Sequence, residues 1–426
     1  MSLKFYFQAL VSATAICLLM SCGGGGGGSS SSSTTYGSTN DCSYTLPANS
    51  SSTGSTFSVP NPPTFTLPVT MTNGNGNPNL PKVSVTVCQP NSTSHCQVVN
   101  DVLLDTGSYG LRLFSGGSSL NLNLTQSTLA GQPLFERTDF ISGSVWGSVV
   151  NADVYLAAQK AANIPIQVIQ SSVPSCLQST TNFYTSSTSL GANGILGIGP
   201  LLQDCGTSCV NSATNSPYYT YNSSTGLVSK TKLPLSYQVP NPVSSLTTAT
   251  YNNGIQMDLT GVRANAPTAT TGLTLGAPSS LPNGAVQMSL DANGDFITRY
   301  RSVIYTSFID SGSNAYYIPD SSISSCTGSQ AGYYCPSSLL AKSADIDSSS
   351  NSWTTVSFTI ANYANQFSNS AVLPNLGGYL GSYFDWGLPF FYVHKVFITY
   401  QTQDNSGTVT SYGSTAFTPS FAPPQS

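Results

Sequence analysis

Charge is what this sequence has least of. Of 426 residues, 12 are Lys or Arg and 16 are Asp or Glu, together 7%, where a soluble domain usually carries about 25%. A nucleic-acid partner needs a footprint of Lys and Arg, and a formal net charge of -4 with a pI of 4.9 supplies none. Glutamate is scarcer still, since Glu136 is the sole one in the chain. Helical bundles and coiled coils need Glu and Lys on their wet faces, so helix is the minority state. Histidine is limited to His95, in a Cys-bounded turn, and His394, in an aromatic strand. That leaves little material for a Ser-His-Asp triad or a His-rich metal site. The apolar stretch 5–20 is too short to span a bilayer comfortably.

What is present is apolar and β-forming. Hydrophobic residues make up 39% and aromatics 10%, which is ample area to bury and excludes disorder throughout. The wet surface must then be Ser, Thr, Asn and Gln. With 38 Gly and 26 Pro as punctuation, the composition predicts an all-β protein of short strands, long enough for two lobes. Alternating patterns predict strands at 65–72, 82–88, 97–104, 144–156, 254–259, 271–275, 285–290, 305–309, 353–360 and 390–400. A Ser/Thr/Asn-rich stretch, 211–230, reads as a surface loop, and only 156–163 and 337–344 permit short helices. Asp291-Ala292-Asn293-Gly294-Asp295 imitates a calcium loop, but Phe296 and Ser302 stand where Gly and Glu are needed. A hairpin turn on Asn293-Gly294 is the better reading.

The chain opens with Lys4, an apolar run and then Leu19-Met20-Ser21-Cys22, an end suited to signal cleavage. It resembles the lipobox of bacterial lipoproteins, which implies that Cys22 becomes the lipidated first residue. Gly23 after the cysteine implies, by the same resemblance, the outer membrane. The Gly/Ser-rich stretch 23–57 reads as a tether with a reach of roughly 30 to 35 Å. Setting aside Cys17 and Cys22 leaves eight cysteines, an even number in an exported chain, which argues for disulfides. Three pairs are close in sequence, Cys88/Cys96, Cys205/Cys209 and Cys326/Cys335, and elimination leaves Cys42/Cys176. Cys205 and Cys209 lack a second Cys or His pair to complete a zinc site.

One pattern occurs twice. Val102-Leu103-Leu104-Asp105-Thr106-Gly107-Ser108 recurs as Thr306-Ser307-Phe308-Ile309-Asp310-Ser311-Gly312-Ser313. Between them lies Asn193-Gly194-Ile195-Leu196-Gly197-Ile198-Gly199. A single Asp-Thr/Ser-Gly-Ser is ordinary turn chemistry; two copies with the same apolar lead-in are not. The chain resembles the pepsin-like aspartic peptidases over most of residues 60–400. In that family each of two homologous β lobes supplies one catalytic Asp and threads an apolar-apolar-Gly segment beside it. The resemblance implies a bilobal fold of two β-barrel-like lobes around a cleft, 58–240 and 241–426, with Asp105 and Asp310 as the dyad. The threaded segments would be Ile195-Leu196-Gly197 and Tyr379-Leu380-Gly381. The run Phe384-Asp385-Trp386-Gly387-Leu388-Pro389-Phe390-Phe391 resembles a signature of a bacterial lipoprotein branch with no assigned function. Asp385 and Trp386 are expected to shape the turn into the last strands, a cleft contact being the alternative.

The chemistry needs these residue types. Two carboxyls held together in a water-poor cleft cannot both ionise, so they share a proton and act as acid and base at once. Ser108 and Ser313 would orient their own aspartates, Gly107 and Gly312 would allow tight turns, and Thr106 and Ser311 would tie the loops together. The flap implied by the resemblance falls on Phe140, Ser142, Gly143 and Ser144. There Phe140 replaces the family's flap tyrosine, and Arg112 replaces its partner tryptophan. Arg112 is expected to pair with an Asp or Glu near the cleft, or to be a solvated or hydrogen-bonded strand residue. Tyr218-Tyr219-Thr220-Tyr221 offers a lesser possibility of ligand stacking. The reading is an aspartic endopeptidase, monomeric, without cofactor or metal, acting on polypeptide. It would be lipid-anchored in the bacterial cell envelope, on the periplasmic or surface face. The alternatives are an inactive pepsin-like lipoprotein holding peptide, glycan or an envelope partner in its cleft, and a purely structural envelope lipoprotein.

Overall fold

The structure, a computed structural model, describes residues 42–46, 54–59, 64–74, 76–178, 182–349, 352–366, 369–404 and 407–421. The signal segment, Cys22 and the start of the Gly/Ser run lie outside the described residues. Strands form where apolar and polar residues alternate. Along Thr66–Gly74, Leu67, Val69 and Met71 turn inward while their neighbours face out. Gly143–Leu156 is buried almost throughout, as befits a strand covered on both faces.

A 16-stranded sheet runs through both halves of the molecule, and a seven-stranded sheet belongs to the second half alone. The halves are joined by Thr66–Gly74, which pairs antiparallel with Ala269–Leu275. From there the sheet continues through Gly254–Asp258, Val396–Thr399 and Ser414–Phe417. One local arrangement is repeated. In the first half, residues 102–105 lie parallel to 194–197, which in turn lie antiparallel to Tyr109–Phe114. In the second, residues 306–309 lie parallel to Tyr383–Trp386, whose Asp385 faces Tyr317 in an antiparallel bridge.

That register corrects the second threaded segment. Gly197 stands opposite Asp105, and Trp386 stands opposite Ile309, so the counterpart of Ile195-Leu196-Gly197 is Asp385-Trp386-Gly387. Leu380 instead bonds to the Ile318 carbonyl upstream. Close approach explains both glycines: a Cβ on Gly197 would sit 2.5 Å from the Tyr109 nitrogen, and one on Gly387 2.0 Å from the Ala315 oxygen.

Further expectations are corrected. The stretch 211–230 contains two paired strands, Tyr218–Asn222 and Leu227–Lys230. Its tyrosines 218, 219 and 221 are buried, so they present no stacking surface. Neither helix-permissive window is helical: 156–163 ends one strand, turns and opens Gln159–Ile169, and 337–344 runs into Leu340–Asp347, because sheet pairing overrides weak local propensity. The strand expected at 390–400 starts only at Val396, after a short buried helix Leu388–Phe391 begun by Gly387 and Pro389. The chain does turn at Asp291, with Gly294 in the left-handed region and Asp291 Oδ1 accepting from the Asn293 and Asp295 nitrogens, but the turn is not the expected hairpin: Val286–Ser289 pairs with Ser414–Phe417 and Phe296–Tyr300 with Val303–Ile309, in separate sheets.

The tether read as 23–57 also ends earlier. Tyr44 is buried among Phe135, Trp146 and Tyr221, and its nitrogen bonds the Gly226 carbonyl at 2.9 Å. Ser55 bridges Cys96, and Phe57 packs on Tyr155. Two aromatic rings and a cysteine hold this polar stretch on the first half. All four expected disulfides form, Cys42–Cys176, Cys88–Cys96, Cys205–Cys209 and Cys326–Cys335.

Two outcomes follow from these contacts. Loop closure by Cys42–Cys176 spans 134 residues against 4 for Cys205–Cys209. Replacing the first pair by serine is expected to cost about 5 kcal/mol in denaturant unfolding, and the second about 2; the reverse ranking would show that other contacts already close the long loop. Burial holds the His394 imidazole down to about 4, although its Nδ1 is 2.8 Å from the Thr418 carbonyl. The unfolded chain takes up a proton below about 6.5 that the folded one refuses. Stability should therefore be flat above that pH and fall by about 3 kcal/mol as pH drops towards 4. His394→Gln should remove that component of the slope in pH-dependent unfolding, and an unchanged slope would refute it.

Candidate active site

Asp105 ends the strand Cys96–Asp105, and Asp310 follows the strand Val303–Ile309. Each carboxyl is held by its own loop. Asp105 Oδ1 accepts from the Gly107 nitrogen at 2.8 Å and Oδ2 from the Ser108 hydroxyl. Asp310 Oδ1 accepts from the Gly312 nitrogen at 2.7 Å and Oδ2 from the Ser313 hydroxyl at 2.9 Å. The loops are locked to each other by a symmetric exchange. The Thr106 nitrogen donates to Ser311 Oγ at 3.1 Å, and the Ser311 nitrogen to Thr106 Oγ1 at 2.9 Å. Thr106 Oγ1 then donates to the Ile309 carbonyl at 3.0 Å and Ser311 Oγ to that of Leu104 at 2.8 Å. Every expected member of the two motifs is thereby brought to one place.

The two carboxyls are fully buried and within hydrogen-bonding reach of each other. Burial pushes both above the usual carboxylate range. For Asp105 this is opposed by hydrogen bonds from Asp310, Ser108 and Gly107 and by the Arg112 cation. Asp310 is driven further up, since the negative charges of Asp105 and Asp385 add to its burial. The pair therefore titrates as a unit, with its proton favoured on Asp310.

Tyr109, one residue past the first motif, was not anticipated. Burial and the charges of Asp105, Asp291 and Asp310 keep its phenol neutral. Its place directly after Asp-Thr-Gly-Ser was the available signal. Asp385, expected to shape a turn or else to make a cleft contact, lies on a largely buried strand close enough to Asp310 to disfavour its ionisation.

The flap residues form the hairpin between Gln132–Phe140 and Gly143–Leu156. Phe140 packs inward in the cluster of Leu80, Leu103 and Tyr109. Residues 182–184 strap the tip: the Ser144 nitrogen donates to the Asn182 carbonyl at 2.8 Å, and the Tyr184 hydroxyl to Ser142 Oγ at 3.0 Å. Gly143 makes room for that strap, since a Cβ there would meet Asn182 O at 2.9 Å. His95 bonds Ser92 and Ser94 in its disulfide-closed turn, and among the described residues no His, Cys, Asp and Glu cluster is arranged to hold a metal.

Where the resemblance implies a tyrosine–tryptophan hydrogen bond between flap and first lobe, the chain uses Arg112. Its guanidinium is fully buried and reaches Thr138 Oγ1 at 2.8 Å, Glu136 Oε1 at 2.6 Å and Asp204 Oδ2 at 3.1 Å, as well as the Tyr109 carbonyl. Burial alone would weaken its charge, but the two carboxylates outweigh that. Tyr218 donates from its hydroxyl to Asp204. Gly110, with φ +100, clears the path: a Cβ there would lie 2.7 Å from Arg112 Nη1 and 2.4 Å from Val239 Cγ1. The sole glutamate thus binds the flap strand to the first Asp loop.

Two β halves that each thread a strand beside an Asp-Thr/Ser-Gly-Ser loop, and that lock those loops together, define a bilobal all-β fold of the pepsin-like type. Residues 60–417 match the profile of a family described as "Protein of unknown function (DUF3443)", and the chain belongs to that family. No curated protein matches the chain. Among solved structures it superposes on the crystal structure of an aspartic proteinase from Irpex lacteus with a TM-score of 0.49 and 16% sequence identity, covering 83% of this chain and 97% of that one.

Glu136→Gln weakens the buried pairing of Arg112 and should lower stability in denaturant unfolding by about 3 kcal/mol. A loss below about 1 kcal/mol would mean that Asp204 alone satisfies the guanidinium.

Proposed function

We propose that the protein is an aspartic endopeptidase. The observation that carries this reading is the meeting of two buried carboxyls from equivalent loops, oriented by Ser108 and Ser313 and unequal in their hold on a proton. A water between them gives a proton to the Asp105 carboxylate as its oxygen attacks the peptide carbonyl carbon. Asp310 passes its proton to the carbonyl oxygen, leaving a neutral gem-diol and no covalent enzyme intermediate. In the second step Asp310 takes a proton back from one gem-diol hydroxyl as the carbonyl reforms. Asp105 delivers its own proton to the departing nitrogen as the C–N bond breaks. Each carboxyl ends in the state in which it began.

The partner in this reading is polypeptide, and the protein is a monomer held in the bacterial cell envelope through lipidated Cys22. The docking of Tyr44 and Cys42 on the first half leaves the run between Cys22 and Cys42 as the tether. One observation favours the second reading, a non-catalytic holder of peptide or glycan: the flap tip is strapped by residues 182–184, and lids that work by opening are drawn from weakly held segments.

Full-length protein in detergent is expected to cleave an unfolded protein substrate somewhere between about pH 3 and 8, the range such a dyad serves. Asp105→Asn and Asp310→Asn should each reduce the rate by at least about 100-fold. Full activity in either variant would rule the mechanism out. Absence of cleavage in wild type, with saturable peptide binding, would favour the holder.

A further inference from the structure

The two halves repeat one geometry, so a difference at equivalent positions is informative. Seven residues after Asp105 stands Arg112, and seven after Asp310 stands Tyr317. Arg112 lies directly opposite Ile195 on the threaded strand, and Tyr317 directly opposite Asp385. Ile195 and Asp385 are themselves equivalent, each two residues before the glycine that abuts its Asp loop. The same pair of sites thus holds a cation facing an aliphatic residue in one half, and a phenol facing a carboxyl in the other. All four side chains are buried.

The strands Val303–Ile309, Tyr316–Ile318, Tyr383–Trp386 and Trp353–Ile360 and the helix Leu388–Phe391 carry no Lys, Arg or His. Their ionisable groups besides Asp385 are Tyr305, Tyr316, Tyr317 and Tyr383, with Asp310 at the loop. Tyr317 donates its hydroxyl to Asn314 Oδ1 at 2.8 Å, and burial keeps Tyr316 neutral. About Asp105 the corresponding groups are Tyr109, neutral, and Arg112, with Glu136 and Asp204 behind it.

Resting on the reading of the pair as a catalytic dyad, we infer that Asp385 is a positioning residue. The strand that carries Asp385 runs beside the Asp310 loop, where the Asp310 nitrogen bonds the Trp386 carbonyl at 3.1 Å, while the equivalent place in the first half is the uncharged Ile195; the Asp385 carboxylate makes the two aspartates electrostatically unequal and keeps the shared proton on Asp310. The chain therefore carries three carboxyls as a single proton-placing unit, and since both Asp loops supply the same pair of hydrogen bonds, it is Asp385 that distinguishes the two aspartates. Charges this close and this dry interact strongly.

Asp385→Asn keeps the shape of the side chain and removes its charge. In a pH profile of kcat/KM the alkaline limb, which reports loss of the shared proton, should move about one pH unit towards acid, a tenfold loss on that flank. The acid limb should stay where it is, and Asp385→Glu should restore the alkaline limb. Superimposable profiles, or an equal loss at every pH as a packing defect would give, overturn the inference. Infrared titration supplies a readout that needs no turnover and no Asp385 variant. The protonated carboxyl that persists towards neutral pH should vanish in Asp310→Asn and remain in Asp105→Asn; the opposite pattern overturns the inference. A protein that shows this pattern without cleaving anything would keep the proton placement and sink the peptidase reading, whereas cleavage indifferent to Asp385→Asn would do the reverse.

Discussion

The exchange of hydrogen bonds between Thr106 and Ser311 is the constraint on which the rest depends. Each residue gives its backbone nitrogen to the other's side-chain oxygen and its hydroxyl to a carbonyl of the opposite half. Four bonds across one pseudo-symmetric contact hold two aspartates together that would otherwise repel. The cost of burying two carboxyls is met by sharing a proton and by donors from Gly107, Ser108, Gly312 and Ser313, so the contact is stable only with the surrounding loops intact. The strand pairing of Thr66–Gly74 with Ala269–Leu275 supports the same contact from a distance, because it fixes how the two halves meet.

Around this symmetric centre the molecule is asymmetric. The first half is built on a buried ionic cluster, Arg112 with Glu136 and Asp204, and the second on aromatic packing of Trp386 with Phe358, Phe384 and Phe390. A buried guanidinium demands specific partners and geometry, whereas rings need only volume. That difference explains why the first half required Gly110 and the sole glutamate, while the second tolerated a run of bulky residues.

Much of the site was legible in the sequence because its signals were local. Asp105 and Asp310 stood in duplicated loops, and the cysteine spacings paired themselves. What failed to show was set by contacts distant in sequence. The second threaded strand was misplaced because Asp385 interrupts the apolar pattern that Tyr379-Leu380-Gly381 preserves; only pairing with Val303–Ile309 selects the true register. The strands at 218–222 and 227–230 were hidden in a polar stretch, since Tyr219 and Tyr221 gain a core from the distant Phe135 and Trp146, and Tyr218 from Leu134 and Val149. Tyr44 and Phe57 were lost among Gly and Ser for the same reason. Arg112 was flagged as a departure, but its partners Glu136 and Asp204 lie 24 and 92 residues away.

The scarcity of charge takes on a different meaning once the charges are located. Asp105, Glu136, Asp153, Asp204, Asp295, Asp310, Asp320 and Asp385 are all buried, as is Arg112. Dissolved ions screen exposed charges within about 8 to 10 Å at ordinary ionic strength but reach enclosed pairs far less. An exterior of hydroxyls and amides gives them little to screen. The protonation pattern at the centre is therefore governed by acidity and insulated from salinity, so the same proton arrangement persists in dilute and in briny surroundings.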